Sequence, residues 1–153
     1  MAKDTAGCRA LNRNYIVGGS DMEAIIKNWY DYLKQDKIMG LRCKDCGAIE
    51  FPPVPVCNCC SGTDMEWVEM SGEGELKSFS LSIMGVYPYN NTPSVAGYAT
   101  LKEGMDFIAT IKGVGIQDQA ALLKKLSEGT VKVKMVTDFI DGEYKFPFFE
   151  IVE

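Results

Sequence analysis

Two pairs of cysteines, Cys43-Lys44-Asp45-Cys46 and Cys57-Asn58-Cys59-Cys60, lie ten residues apart, and theirs is the spacing in this chain that points to chemistry. A gap of two residues lets one tight turn aim both thiolates at the same ion, and four thiolates complete a tetrahedral zinc shell. Cys43, Cys46, Cys57 and Cys60 are therefore the candidate metal ligands, with Zn2+ as a structural ion. Cys59 could replace Cys60 only by breaking the two-residue gap, so it is read as a bystander, as is Cys8. Gly47 follows the first pair, where a metal knuckle needs a residue that tolerates positive φ. Phe51-Pro52-Pro53-Val54-Pro55 forms a stiff extended spacer between the knuckles. A ribbon of this length has almost no core of its own, so coordination is expected to hold it.

Other uses of the four cysteines fit less well. Two disulfides would need an oxidising compartment, and Met1 to Ala10 carry no charged-then-apolar signal pattern; a cytoplasmic location is expected instead. A redox-active dithiol uses one such pair at the start of a helix, whereas here there are two pairs and a proline-rich spacer. Iron in a rubredoxin-like electron carrier would use the same four ligands, and the short gap between the pairs favours zinc.

Composition excludes more than it selects. The chain has 153 residues, 46% of them apolar, enough for one modest core and a small appendage. No run approaches the roughly 18 apolar residues of a spanning helix, so no membrane role is expected. A formal charge of −5 repels a phosphate backbone, which makes nucleic acid an unlikely partner. There is no histidine at all. Ser-His and Cys-His relays and His-rich catalytic zinc sites are thus excluded, and a closed four-thiolate shell offers a substrate no open position.

The elements that must position these residues follow from periodicity. Residues 1–40 are read as an N-terminal arm and a docking helix that opens with the Ser20–Glu23 capping pair and ends near Gly40. Met22, Ile25, Ile26, Trp29, Tyr30 and Leu33 recur at helical spacing on one apolar face. Residues 41–66 are the zinc ribbon. Residues 67–153 read as β: Phe79, Leu81 and Ile83 alternate with Ser78, Ser80 and Ser82, while Leu76 is out of phase, the pattern of a β-bulge. Strands over 95–101 and 107–111 flank a Lys102-Glu103-Gly104 turn. A short helix over 116–126 comes next, with Ala120, Leu123 and Leu126 near one face and Gly129 as its stop. Val131, Val133 and Met135 begin a fourth strand, and the fifth runs through Phe146, Phe148 and Ile151. Five strands with a helix between the third and fourth is the order of an OB-fold barrel. The expected class is mainly β with a small α part: N-terminal helix, rubredoxin-like zinc ribbon, C-terminal five-stranded OB-fold.

Two surfaces are candidates for binding. The ribbon gives the helix stripe little apolar surface to pack on, so Ile25, Ile26, Trp29, Tyr30 and Leu33 are candidates for a partner protein as well as for packing at home. Arg42 and Lys44 flank the first knuckle, and Tyr87 and Tyr89 lie on either side of Pro88 in the loop after the first barrel strand; these four are candidate contacts for CoA. Lys132 and Lys134 share one strand face, ordinarily a solvated one, that could attract phosphates.

The order helix, Leu41-Arg42-Cys43-Lys44-Asp45-Cys46-Gly47, Phe51-Pro52-Pro53, Cys57-Asn58-Cys59-Cys60, then Gly74-Glu75-Leu76-Lys77-Ser78-Phe79-Ser80 resembles the zinc-ribbon/OB-fold acyl-CoA-associated proteins over residues 20 to 153. Within that family it looks most like the zinc-finger subunits of bacterial thiolases, such as the benzoylsuccinyl-CoA enzyme of aromatic degradation. The resemblance implies a non-catalytic subunit in a hetero-oligomer, whose thiolase-like partner acts on acyl-CoA and supplies the nucleophile. It also implies the same four cysteine ligands. Two residues depart from the family's pattern: Val54 stands where an arginine often follows the paired prolines, and Asn58 where a proline often follows the third cysteine. An OB-fold nucleic-acid binder and an iron electron carrier are the alternative functions.

Overall fold

A computed structural model describes residues 19–84, 92–139 and 144–152, with side chains of the first helix from Glu23 on. Tyr87, Tyr89, Cys8 and the side chain of Ser20 lie outside the described residues. The chain divides after Met70 into two compact units.

In the first unit helix α1 (Gly19–Lys34) precedes strands β1 (Met39–Cys43), β2 (Ile49–Glu50) and β3 (Met65–Glu69). They form an antiparallel sheet in the order β2-β1-β3. The helix stops well short of Gly40. Asp36 takes a φ of +60°, its N–H reaches the Leu33 carbonyl at 3.0 Å, and the Lys37 N–H reaches that of Tyr32 at 3.1 Å. This is a Schellman termination with an aspartate in the left-handed position usually held by glycine. β3 pairs with β1 along its whole length, from Met39↔Glu69 to Cys43↔Met65, so Trp67, Val68 and Glu69 pair within the ribbon sheet.

The ribbon also has a core, which tempers the expectation that metal alone holds it. Leu33, Ile38, Met39, Leu41, Phe51 and Met70 are buried. Pro53 and Pro55 turn inward between exposed or half-exposed neighbours. The spacer bends at Phe51 and Pro52 and again at Pro55 and Val56, with a cis Phe51–Pro52 peptide, so it is not uniformly extended. Trp29 lies edge-on to Phe51 at 6.1 Å between ring centres, and Tyr32 packs on Trp67 at 5.1 Å.

The second unit is a sheet of β4 (Glu73–Ser82), β5 (Ser94–Leu101), β6 (Asp106–Thr110), β7 (Val131–Phe139) and β8 (Lys145–Val152), in the order β6-β5-β4-β7-β8. The register of β4 against β5 shifts between Leu76 and Ser78, the bulge expected from the phase slip. Before it β4 pairs with both β5 and β7. Past β6, Ile111 bridges Phe149 of β8 in parallel, and the Lys112 N–H donates to the Phe149 carbonyl at 2.7 Å. A curled antiparallel sheet whose ends meet in one parallel bridge just past the third strand, with a helix between the third and fourth, is consistent with an OB-like fold.

That helix, α2 (Gln119–Glu128), buries Leu122 at 3% exposure, whereas Leu123 is 62% exposed and Ala120 faces solvent. Leu126 of the expected face is half-buried, and the inward stripe runs through Leu122 and Leu126 at i, i+4, the spacing of an α-helix. A 3-10 turn at Ile116–Asp118 opens the element. In β8 the buried residue is Phe149, not its neighbours Phe146 and Phe148. Val131, Val133 and Met135 face the core, and Lys132 and Lys134 face out. Among the described residues no helix is long and apolar enough to cross a membrane.

Candidate metal centre

The two knuckles are built alike. In the first, the Cys43 N–H donates to the Ala48 carbonyl at 2.8 Å and the Gly47 N–H returns to the Cys43 carbonyl at 2.8 Å. In the second, the Cys57 N–H donates to the Gly62 carbonyl and the Ser61 N–H to the Cys57 carbonyl, both at 2.9 Å. Each turn needs a left-handed residue after its second cysteine: Gly47 has a φ of 76° and Ser61 a φ of 62°. Residues 43–48 and 57–62 are thus one local structure used twice, and this repetition aims four sulfurs at a common point.

The Sγ atoms of Cys43, Cys46, Cys57 and Cys60 all lie within 4.8 Å of one another. Cys43 and Cys60 approach to 3.5 Å, as do Cys46 and Cys57. A tetrahedral ion with metal–sulfur bonds near 2.3 Å requires sulfurs about 3.8 Å apart, so the cluster fits one ion with small adjustments. Cys43 and Cys57 are buried, and Cys46 and Cys60 are exposed. Backbone N–H groups face the sulfurs, those of Cys59 on Cys57 and of Gly62 on Cys60 at 3.4 Å each. Cys59 is not a member of the convergent set.

As bare thiols the four differ. Burial pushes Cys57 above its ordinary value. Cys43 is also pushed up by burial, but the Cys46 and Asp45 N–H groups and the neighbouring thiols outweigh this and bring it below. Cys46 and Cys60 end above the ordinary value although the Ala48 and Gly62 N–H groups pull them down, because burial and neighbouring sulfurs oppose a further negative charge. Four thiolates at this spacing need a cation, and a closed sulfur tetrahedron gives it a structural and not a catalytic place. Gly62 is a requirement sequence reading passed over: a Cβ there would sit 3.2 Å from the Sγ of both Cys43 and Cys60 and collide with the Asp45 carboxylate.

The other candidates are placed less decisively. Leu33 is fully buried and serves the ribbon, Ile25, Trp29 and Tyr30 are half-buried, and Ile26 is 45% exposed. Arg42 faces Glu66 across the β1–β3 pair at 4.0 Å, and Lys44 binds Asp64 at 2.8 Å. The Asp64 carboxylate holds the Lys44 ammonium above its usual range. In the second unit Lys77, Lys102, Lys132 and Lys134 line a groove of about 610 Å3 with Glu73 and Glu75. Glu75 pairs with Lys77 and Glu73 with Lys102, so the groove has mixed charge.

Fold and site together define a rubredoxin-like zinc ribbon followed by an OB-fold. Residues 31–66 match the protein family described as the ChsH2, rubredoxin-like zinc ribbon domain, as the cysteine pattern implied. A benzoylsuccinyl-CoA thiolase subunit, BbsA, of Thauera aromatica is 34% identical over 95 residues, covering 62% of this chain and 65% of that one. A probable enoyl-CoA hydratase alpha subunit of Thermomonospora curvata is 28% identical over 86 residues, covering 56% of this chain and 27% of that one. The chain therefore spans just under two thirds of the first relative and about a quarter of the second. Among solved structures, the Ltp2-ChsH2(DUF35) aldolase shares the fold at a TM-score of 0.64 and 24% identity, over 82% of this chain and 92% of that one.

Proposed function

We propose that this chain is a zinc-containing, non-catalytic subunit of a thiolase-type enzyme acting on acyl-CoA, and that it helps assemble the complex and shape its acyl-CoA site. The observation that carries this reading is the 95-residue likeness to a thiolase subunit, which takes in more than half of this chain. Two features support it. The sulfur tetrahedron leaves a substrate no coordination position, and a chain without histidine lacks the usual proton relay of acyl transfer. The nucleophile is then the partner's.

In this reading Zn2+ is held by Cys43, Cys46, Cys57 and Cys60, and it supplies a rigid crosslink between the knuckles. Thiols kept reduced for a metal suit the cytoplasm. Ile25, Ile26, Trp29 and Tyr30 of α1 contribute to docking, with Leu33 anchoring the helix from beneath. Arg42 and Lys44, with Tyr87 and Tyr89, contact CoA; an arriving phosphate would draw the two cations from Glu66 and Asp64, exchanging one exposed anion for another.

Co-expression with a thiolase-type catalytic chain from the same organism tests the proposal. The two chains should copurify with zinc bound, and the catalytic chain alone should lose acyl-CoA turnover. A monomeric chain beside a fully active thiolase would overturn it.

A further inference from the structure

We infer that Glu50 is a positioning residue for the metal, whose carboxylate clamps the second knuckle and sets how fast the ion is lost. The inference rests on the zinc reading above.

Each knuckle has a backbone amide just after its first cysteine. That N–H points away from the sulfurs and must find a partner elsewhere. In the first knuckle it belongs to Lys44 and donates at 2.9 Å to the backbone carbonyl of Asp64, beyond the second knuckle. In the second it belongs to Asn58 and donates at 2.8 Å to Oε1 of Glu50, ahead of the spacer. The Asn58 side-chain amide adds a bond to Oε2 at 2.5 Å, so both carboxylate oxygens hold one residue. The first knuckle is thereby tied to chain beyond the second, and the second to the strand that follows the first. One tie is pure backbone; the other depends on a side chain.

The sequence explains the asymmetry. Pro52, Pro53 and Pro55 remove three N–H donors from the spacer, so it cannot join β2 in a hydrogen-bonded ladder. Glu50, half-buried at the end of β2, reaches across instead. β2 is paired to β1, and β1 ends at Cys43, so the clamp fixes Cys57 and Cys60 relative to Cys43 and Cys46 before any ion arrives. Groups that orient metal ligands from outside typically change metal affinity 10- to 100-fold when removed.

The test uses the full chain loaded with zinc, with metal content measured first and release then followed by transfer to a chromogenic chelator. Glu50→Ala should release zinc about tenfold faster than the parent chain. Asn58→Asp, which sets two carboxylates face to face, should do the same. The double variant E50Q/N58D should return towards the parent rate, since the glutamine amide can donate to the new carboxylate while its oxygen still accepts the backbone N–H. Lys44→Met, which removes an exposed ion pair but no backbone tie, should stay within twofold. A Glu50→Ala rate equal to the parent's, a double variant no slower than Asn58→Asp, or a Lys44→Met rate as fast as Glu50→Ala would overturn the inference. A parent chain that purifies without zinc would instead overturn the zinc reading on which it rests.

Discussion

Ile111 meets Phe149 in a parallel bridge that brings the chain past β6 onto β8, the two ends of the curled five-stranded sheet. Phe149 is fully buried, opposes Met135 on β7 and lies edge-on to Phe107 at 6.2 Å between ring centres. One side chain therefore joins β6, β7 and β8. Phe149→Ala should destabilise the barrel by about 3–5 kcal/mol, the usual loss for a buried phenylalanine. Denaturant unfolding followed by far-UV circular dichroism would measure it, and a loss below that of Phe146→Ala would show that the closure lies elsewhere.

Both tryptophans, Trp29 and Trp67, belong to the ribbon unit, so their fluorescence reports that unit and not the barrel. Chelation of the metal, or Cys46→Ser, should shift tryptophan emission to the red while the barrel strands keep their far-UV signal. The ribbon core around Leu33, Leu41 and Phe51 should keep the change short of full exposure. Emission unchanged on complete zinc removal would mean that this core suffices and the ion is dispensable to the fold.

How much of the structure was legible depended on how local each determinant is. The cysteine spacing is local, and so is the phase slip at Leu76, which announced the bulge. The helix stop was missed because Asp36 does the work of a glycine, and a left-handed L-residue leaves no compositional mark. That Met65–Glu69 joins the ribbon, and that Phe149 and not Phe148 is buried, are both set by strands distant in sequence. Within α2 the pairs Ala120–Leu123 and Leu122–Leu126 both fit helical spacing, and only the packing of α2 on the strands selects Leu122. Gly62 had a local signal after all: it occupies the place of Ala48 in the repeated knuckle, with less room.

The repeat makes the two knuckles a paired experiment. Ser61 carries the left-handed conformation that Gly47 carries without cost, so Ser61→Gly should stabilise the ribbon by about 1 kcal/mol. Gly62→Ala should act oppositely, pushing against two ligand sulfurs and lowering zinc content on purification. Thermal unfolding read at the tryptophans, with metal analysis on the same samples, separates the two. A neutral Gly62→Ala would mean that the Asp45 carboxylate and the knuckle shift aside at little cost.

Asp106 gives the barrel an acid-sensitive contact. Its carboxylate accepts from Thr100 Oγ1 and from the Tyr98 hydroxyl, both at 2.6 Å, and these bonds hold its pKa below the ordinary carboxylate value. A lowered folded-state pKa means that the ionised form favours folding. The contribution is complete above the unfolded value of about 3.9 and is lost as pH falls through the lower folded value. Asp106→Asn should therefore be less stable than the parent at neutral pH, with the gap closing below pH 4. Denaturant midpoints at pH 7 and pH 3 would show it; a gap independent of pH would assign the cost to packing instead.

The proposed docking role of α1 can be separated from its packing role because Ile26 is exposed and Leu33 is buried. Leu33 is fully buried in the ribbon, and Leu33→Ala should cost about 2–5 kcal/mol and weaken zinc retention along with any association. Ile26 is 45% exposed, so Ile26→Asp should leave the tryptophan emission and zinc content of the isolated chain unchanged. If α1 docks on a thiolase-like subunit, a buried unpaired carboxylate at that interface should abolish copurification. Full copurification of Ile26→Asp would move the docking surface off this helix, because an aspartate at a desolvated contact leaves a charge that neither chain can solvate.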